Sequence, residues 1–458
     1  MANASDAALR RFESPAARQS AALDELARRA VFGAPEERAQ ARWLIWEIGQ
    51  MAGVRPASVH ELYLARGRGE VPPFTTPAIN VRVLAYDSAR AIFRAAQRRE
   101  VGAVICEIAR SEIGYTEQRP AEYVAVMTAA ALREGFTGPL FIQGDHVQVN
   151  AKKYATDPEA ELQAIRTLIE EELHAGFYNI DVDTSTLVDL SQPTLDEQQR
   201  VNYERAAELT KFIREREPEG VTVSVGAEIG EVGGKNSDVH ELHAFMEGYG
   251  RTLKRLGRFA GISKISVQTG TSHGGVVLPD GSIAKVQLDL AALKELSAAA
   301  RATYRLGGAV QHGASTLPQD AFSHFPQCEA IEIHLATNFQ NIVFDHPALP
   351  VDFRRELNEW VKVECKEEWK KGDTEEQFIY KSRKKAIGPF KRRLWDLPAD
   401  VRAAIGADLE RTFAFLFEQL RVTGTRAVTD RYVKPPLQSH ARPRPVAVAA
   451  PDDLEAGE

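Results

Sequence analysis

A repeated alternation of short apolar runs with amphipathic stretches constrains the fold of this 458-residue chain more than any other feature. Each run suits a strand buried on both faces, and apolar residues at helical spacing follow it. The eight predicted strands are Thr76–Leu84, Gly102–Ala109, Leu140–Ile142, Asn179–Asp183, Val221–Gly230, Ile262–Thr269, Leu306–His312 and Ala330–Leu335. Eight strand–helix units predict an α/β fold, a closed parallel (β/α)8 TIM barrel. A doubly wound open sheet is the alternative, but no glycine-rich dinucleotide motif follows the first strand.

Changes in composition divide the chain into four predicted parts. Residues 1–72 have helical spacing, including the stretch from Trp43 to Leu62, and predict an N-terminal helical extension. Residues 73–350 form the predicted barrel, which is the catalytic domain. Residues 351–434 are charged and amphipathic and predict a C-terminal helical extension, whereas residues 435–458, rich in Pro and Ala, predict a disordered tail.

The charge and cysteine content exclude several classes of protein. A formal net charge of -7 argues against a nucleic-acid partner. Cys106, Cys328 and Cys365 lie far apart, without the spacing of a zinc finger or a disulfide framework. No run of 18 apolar residues and no signal-peptide core occur, so we expect no membrane partner and a cytoplasmic location.

Histidines lie at three of the predicted strand ends. They belong to Asp145-His146, to Gly-Thr-Ser-His-Gly at 270–274 and to Gln-His-Gly-Ala-Ser at 311–315. Catalytic Zn²⁺ commonly takes three protein ligands and leaves one position open, which His146, His273 and His312 would provide. Asp145, next to one of these ligands, is the candidate for proton transfer. Each histidine alone would more often be a hydrogen-bonded structural group.

These motifs resemble, in order, those of the class II, zinc-dependent ketose-bisphosphate aldolases, over roughly residues 76–428. The segment 270–274 reproduces a family motif literally, and Asp145-His146 matches another. Ala-Ile-Asn-Val at 78–81, Asp-Thr-Ser at 183–185, Glu-Ile-Gly-Glu-Val-Gly-Gly at 228–234 and His-Gly-Ala-Ser at 312–315 are similar to further family motifs. The resemblance implies a lyase of carbohydrate metabolism, of the kind used in glycolysis, that cleaves a ketose or ketose (bis)phosphate reversibly with one catalytic Zn²⁺.

The resemblance also implies roles for other residues. Glu228 and either Asp181 or Asp183 would act as auxiliary metal ligands or groups that orient them, with room for a second mono- or divalent cation. The expected partner is a small sugar or sugar phosphate, and the expected assembly is a homodimer or larger homo-oligomer. The positions implied for substrate binding are Asn80, Gly274, Gly313, Ser315, His334, Thr337 and Asn338.

The chain departs from the family where a substrate phosphate is bound. Val277 stands where the family has a phosphate-binding lysine, although Lys285 follows it, and Ala336 stands where the family has an aspartate on the eighth strand. Which ketose is the substrate, and whether it is phosphorylated, therefore stay open. The three predicted zinc ligands and Asp145 also fit a metal-dependent C4-epimerase of the tagatose/fructose type. Such an enzyme would cleave the carbon–carbon bond that an aldolase cleaves and then form it again. A non-catalytic aldolase-like subunit is the alternative from another class.

Overall fold

The computed structural model describes residues 9–230, 235–270, 278 and 288–443. Nine strands alternate with helices, and β2 to β9 close into a barrel of eight parallel strands. β9 pairs with β2, for example Ala78 opposite His334, which completes the ring. The predicted (β/α)8 TIM barrel is thus confirmed. The strands are Val54–Ala57 (β1), Thr76–Asn80 (β2), Ile105–Ala109 (β3), Gly138–Gln148 (β4), Asn179–Asp183 (β5), Ser224–Glu228 (β6), Lys264–Val267 (β7), Ala309–Gln311 (β8) and Glu332–Leu335 (β9).

Helices surround the barrel and extend beyond it at both ends. Between residues 9 and 336 the described helices are Pro15–Arg18 (α1), Ala21–Phe32 (α2), Pro35–Ala52 (α3), His60–Gly67 (α4), Ala85–Arg98 (α5), Arg110–Thr116 (α6), Pro120–Arg133 (α7), Ala151–Thr156 (α8), Pro158–Ala175 (α9), Leu195–Arg214 (α10), Val239–Leu256 (α11), Leu290–Tyr304 (α12) and His324–Gln327 (α13). After the last strand they are Thr337–Phe344 (α14), Val351–Glu364 (α15), Glu375–Ser382 (α16), Lys391–Trp395 (α17), Ala399–Gln419 (α18) and Arg426–Tyr432 (α19). Short 3-10 turns lie at Ser185–Leu187, Gln319–Ala321, Lys366–Glu368 and Arg383–Ala386. None of the helices within these described ranges is long and apolar enough to span a membrane.

Strand β1 interrupts the stretch from Trp43 to Leu62 for which the sequence predicted helical spacing. Helix α3 ends at Gly53, whose φ of 78° is left-handed and favours glycine. β1 then pairs with the first half of β4, from Val54 opposite Gly138 to Ala57 opposite Phe141. The Asn179 amide donates to Ala57 O at 3.1 Å and to Ile142 O at 2.9 Å, which ties the extra strand to the barrel.

Both extensions pack on the same side of the barrel. Helices α2 and α3 pack against α7, and α18 packs against α5. The chain from residue 435 to 443 lies against α3, where Trp46 Nε1 donates to Gln438 O at 2.8 Å. The His440 ring stacks on Trp46 with ring centroids 3.8 Å apart. This part of the predicted disordered tail is thus packed, and residues 444–458 lie outside the described residues.

Glu172 of α9 is a buried acid that packs against the barrel at Gly144. A Cβ at Gly144 would lie 2.8 Å from the Glu172 carboxylate oxygens, so a larger residue there would displace this carboxyl group. Neither Glu172 oxygen has a hydrogen-bond partner among the described residues. Burial raises the pKa of Glu172 to about 8, so the carboxyl group is largely protonated at neutral pH.

The stability of the protein should therefore decrease between about pH 4.5 and pH 8 through Glu172. The pKa of Glu172 is higher in the folded protein than in the unfolded chain, so over this range the folded protein keeps a proton that the unfolded chain releases. The resulting stabilisation is complete below about pH 4.5 and is lost as the pH rises through about 8. We expect Glu172→Gln to match the wild type near pH 4.5 and to become more stable by roughly 2 kcal/mol or more near pH 8. Urea unfolding at several pH values measures the difference. The exposed Glu170→Gln is the matched control, and a constant difference for Glu172→Gln would contradict the assignment.

Candidate active site

The carboxyl end of β4 directs Asp145 and His146 into the same cavity. Strict alternation along a strand would place neighbouring side chains on opposite faces. Instead the pairing of β4 with β5 shifts register between Gly144 and Val147, and His146 has a left-handed φ of 42°. His146 Nε2 and Asp145 Oδ1 consequently lie 3.7 Å apart.

The cavity has a volume of about 790 Å³ and opens at the carboxyl ends of the strands. This is the end at which (β/α)8 barrels hold their active sites. Loops after β2, β3 and β4 form one side of it, and the segments after β8 and β9 form another. Of the positions proposed from sequence, its wall includes Asp145, His146, Glu228, His312, Gly313, Ser315, His334 and Thr337.

Two of the three predicted zinc ligands meet in this cavity. The rings of His146 and His312 have centroids 4.2 Å apart, and a nitrogen of each lies within 4.8 Å of an Asp145 oxygen and of the other. His146 forms a second such group with Asp183 and Glu228, at 3.2 Å and 3.4 Å from its Nδ1. Imidazole nitrogens and carboxylate oxygens are the ligands that zinc prefers, so the residues fit a divalent metal. His273 lies outside the described residues.

Electrostatics also favour a cation at this position. Six carboxyl groups lie in or directly below the mouth of the barrel: Glu107, Asp145, Asp181, Asp183, Glu228 and Glu332. Burial alone would lower the pKa of His146, but Asp145, Asp183 and Glu228 outweigh it and raise that pKa well above its usual value. Burial and Asp183 raise the pKa of Glu228 to about 7. Such shifts show an excess of negative charge that a metal cation would balance.

Asp145 is oriented by groups from two other strands. Its Oδ2 accepts a hydrogen bond from Asn80 Nδ2 at 3.3 Å, and its Oδ1 lies 3.1 Å from His334 Nδ1. His334 Nδ1 also lies 3.0 Å from Glu107 Oε2. These contacts fix the carboxylate beside the metal-ligand group. Asn80 and His334, predicted as substrate-binding residues, therefore also position Asp145.

A buried lysine lies beneath the site. Lys264 Nζ contacts Asp181 Oδ1 at 2.8 Å, Glu332 Oε1 at 2.5 Å and Gln143 Oε1 at 2.7 Å. Burial would raise the pKa of Glu332, but Lys264 and His334 outweigh it and lower that pKa to about 2. Tyr63 Oη donates to the other Glu332 oxygen at 2.5 Å. Asp181 thus pairs with an ammonium group, whereas Asp183 lies against His146 of the metal-ligand group. The sequence could not distinguish these two acids, and their contacts do.

The remaining predicted substrate positions divide into three groups. Ser315 and Thr337 lie together, since Thr337 N donates to Ser315 Oγ at 3.1 Å, and Gly313 lines the same cavity. Asn338 lines a separate cavity with Phe339 and Phe415. Gly274, together with Val277 and Lys285, lies outside the described residues.

Three charged residues of the barrel interior, Glu107, Lys264 and Glu332, were not predicted as part of the site. Each occupies a strand whose other residues are mostly apolar. A charge inside such a strand was the available signal, because a buried charge needs a partner of opposite charge. Arg82, Gln340 and Lys384, which also line the cavity, carried no comparable pattern.

The chain is similar in sequence to one known family and in fold to several solved structures. Residues 73–386 match the family model described as fructose-bisphosphate aldolase class-II. A glycerol complex of the fructuronate-tagaturonate epimerase from Cohnella laeviribosi is 12% identical, with a TM-score of 0.54 over 83% of this chain and 85% of that chain. A fructose-bisphosphate aldolase from Campylobacter jejuni is 16% identical, with a TM-score of 0.46 over 79% of this chain and 93% of that chain. No curated protein matches the chain. At these identities the structural likeness concerns the fold alone.

The buried ammonium of Lys264 should be essential for stability. Replacing it by Met would leave Asp181 and Glu332 buried without a cation, so we expect Lys264→Met to lower the free energy of unfolding by about 3–5 kcal/mol. Urea unfolding measures this loss. Adding Glu332→Gln should recover part of it, and the exposed Lys254→Met is the matched control. A Lys264→Met protein as stable as the control would contradict the role of this ion pair.

Proposed function

The chain belongs to the class II fructose-bisphosphate aldolases, and from this premise we propose that it is a zinc-dependent lyase acting on a ketose. The proposed reaction is reversible aldol cleavage of the bond between C3 and C4. The observation that carries the proposal is the position of Asp145, held between His146, His312 and His334 at the mouth of the barrel. A proton-transfer group beside a metal-ligand group is the arrangement that this chemistry requires.

The protein residues have separable roles in this proposal. His146 and His312, with His273, would hold the metal, and Glu228 and Asp183 would orient or supplement these ligands. A metal bound there would supply Lewis-acid polarisation of the substrate carbonyl. Asp145 removes the proton of the C4 hydroxyl group in the cleavage direction and returns it in the synthesis direction. Asn80 and His334 hold the Asp145 carboxylate in place for both transfers.

Epimerisation at C4 is the second candidate, because two proton-carrying side chains lie on one wall of the cavity. Asp145 Oδ1 and His334 Nδ1 are 3.1 Å apart. An epimerase would cleave the same bond, keep the aldehyde bound, and re-form the bond after the aldehyde has presented its other face. Asp145 would take the proton of the C4 hydroxyl group, His334 would donate a proton to the alkoxide of the epimer, and proton transfer between Asp145 and His334 would restore both groups.

The proposal extends to the setting of the enzyme. The substrate is a small sugar or sugar phosphate, with a second mono- or divalent cation as an accessory near Asp183 and Glu228. Three free, buried cysteines support a reducing, cytoplasmic location. The resemblance to the family supports a homodimer or larger homo-oligomer.

Substitutions should separate metal binding from proton transfer. We expect His146→Ala and His312→Ala, and likewise His273→Ala, to lose both bound zinc and turnover. Asp145→Asn should keep zinc but lower kcat by about 10²–10⁴-fold, because proton transfer is lost. Zinc content by mass spectrometry and steady-state rates measure the two effects. His324→Ala, an exposed histidine, is the control, and wild-type turnover by Asp145→Asn would refute its role.

The products distinguish the two candidate reactions. Phosphorylated and free ketoses are incubated with zinc-loaded protein, and a coupled dehydrogenase detects released triose while NMR detects a C4 epimer. An aldolase should release triose stoichiometrically, whereas an epimerase should give the isomeric ketose without free triose. Chelation should abolish either product. Turnover that persists after complete removal of metal would refute both reactions.

A further inference from the structure

Five basic residues line the wall of the active-site cavity: Arg82, Arg110, Lys153, Lys381 and Lys384. Three of them are paired with acids. Arg82 pairs with Glu112, Arg110 pairs with Glu161, and Lys381 pairs with Asp373. Lys153 is exposed, whereas Lys384 is half-buried. Of these five residues, Lys384 is therefore the one that is partly buried and is not among the three paired with acids.

Lys384 is held on this wall by contacts between the C-terminal extension and helix α6. It lies in the turn Arg383–Ala386, which packs on α6. Just beyond, Gly388 N donates to Tyr115 O at 2.9 Å, and a Cβ at Gly388 would lie 2.7 Å from that oxygen. Only glycine permits this approach. Lys384 Nζ lies 5.8 Å from the centroid of the Tyr115 ring, over its face.

The charge of Lys384 is not neutralised by a close acid. Within the described residues, no carboxylate oxygen lies within 4.0 Å of Lys384 Nζ. Burial lowers the pKa of Lys384, and the positive charge of Arg82 lowers it further, because both disfavour the charged form of the lysine. Glu112, which pairs with Arg82, also attracts Lys384, so two cations on this part of the wall share one carboxylate.

A second, independent feature of the same cavity is a buried amide. Gln340 of α14 lines the cavity, is only 4% exposed, and its Oε1 has no hydrogen-bond partner among the described residues. Its neighbour Asn341 connects α14 to the C-terminal extension, donating to Tyr380 Oη at 2.9 Å and accepting from Arg383 Nη2 at 2.7 Å. A buried polar group without a partner costs about 1–3 kcal/mol. A hydroxyl group of a sugar ligand, which can donate to this oxygen, would remove the cost.

We propose that Lys384, supported by Arg82, forms a subsite for an anionic group of the substrate, a carboxylate or a phosphate, and that Gln340 Oε1 accepts a hydrogen bond from a neighbouring hydroxyl group of the same substrate. This inference rests on the proposed function and specifies its substrate class as an anionic ketose. Both anions offer oxygens for charge-assisted hydrogen bonds to an ammonium and a guanidinium group. This part of the cavity combines Arg82 from the loop after β2, Gln340 from α14 and Lys384 from the C-terminal extension, and the subsite does not use Ser315 or Thr337.

Kinetics test the subsite through a difference between substrates. We compare Lys384→Met with Lys385→Met, a neighbouring lysine that pairs with Glu368 and does not line the cavity. For a ketose carrying a carboxylate or phosphate, Lys384→Met should lower kcat/KM about 10–100-fold, mainly through KM. For an uncharged ketose the loss should be under about threefold. Equal losses for charged and uncharged ketoses, or an equal effect of Lys385→Met, would overturn the proposal.

Binding tests the subsite without turnover. Calorimetry measures glycerol, glycerate and glycerol 3-phosphate binding to the zinc-loaded wild type and both variants, whose zinc content verifies the fold. At least one anion should bind about tenfold or more tighter than glycerol, and Lys384→Met alone should remove that preference. The preferred anion identifies a sugar acid or a sugar phosphate as the substrate. Lack of any anion preference, or its persistence in Lys384→Met, would overturn the subsite, whereas Lys384-dependent binding without ketose turnover would overturn only the proposed reaction.

Discussion

The ion pairs of Lys264 support the charged interior on which the rest of the site depends. Burying a carboxylate in a barrel core is costly unless a cation and hydrogen bonds compensate for lost hydration. Lys264 contacts Asp181 and Glu332 together, and Gln143 bridges the Lys264 ammonium and Glu107. Burial and Asp145 raise the pKa of Glu107 to about 8, so this acid can hold a proton at neutral pH. Asp181 and Glu332 are thus compensated by the charge of Lys264, and the acids near His146 are left to balance a metal.

The irregularity in β4 connects this interior to the proposed chemistry. A regular strand would direct Asp145 and His146 to opposite faces, and only one of them could reach the cavity. The register shift and the left-handed backbone of His146 bring both into it, at a cost of about 1–2 kcal/mol for the backbone. Pairing of β4 with β3 through Asp145 and with β5 beyond Val147 holds the distorted segment in place. Metal binding and proton transfer can therefore come from consecutive residues.

The sequence allowed the barrel to be predicted because periodicity is a local property. The helices Pro158–Ala175 and Val239–Leu256 have the predicted helical spacing of apolar residues, and Asp157 and Asp238 cap their first turns. β1 was missed because four residues containing Pro56 cannot establish a period of two within a helical pattern. The contact between His146 and His312 could be predicted because both residues lie at the carboxyl ends of predicted barrel strands. The ion pairs of Lys264 could not be predicted, because pairing inside a barrel depends on which side chains share a layer, and the sequence alone does not specify this.

The position of Lys384 could not be predicted from the sequence. It also suggests that bond cleavage and substrate recognition depend on different parts of the fold. A solvated helix face is the usual interpretation of the basic run at 381–385, and the exposed, paired Lys381 and Lys385 agree with it. Lys384 differs because the Gly388–Tyr115 contact turns this segment toward the barrel. Bond cleavage requires accurate placement of ligands and base, which rigid strands provide. Recognition of an anion relies on charge attraction and tolerates more variation in position, so it can be supplied by helices added after the barrel. In the proposed arrangement the strands determine the reaction, and the Lys384 subsite of the C-terminal extension selects the ketose.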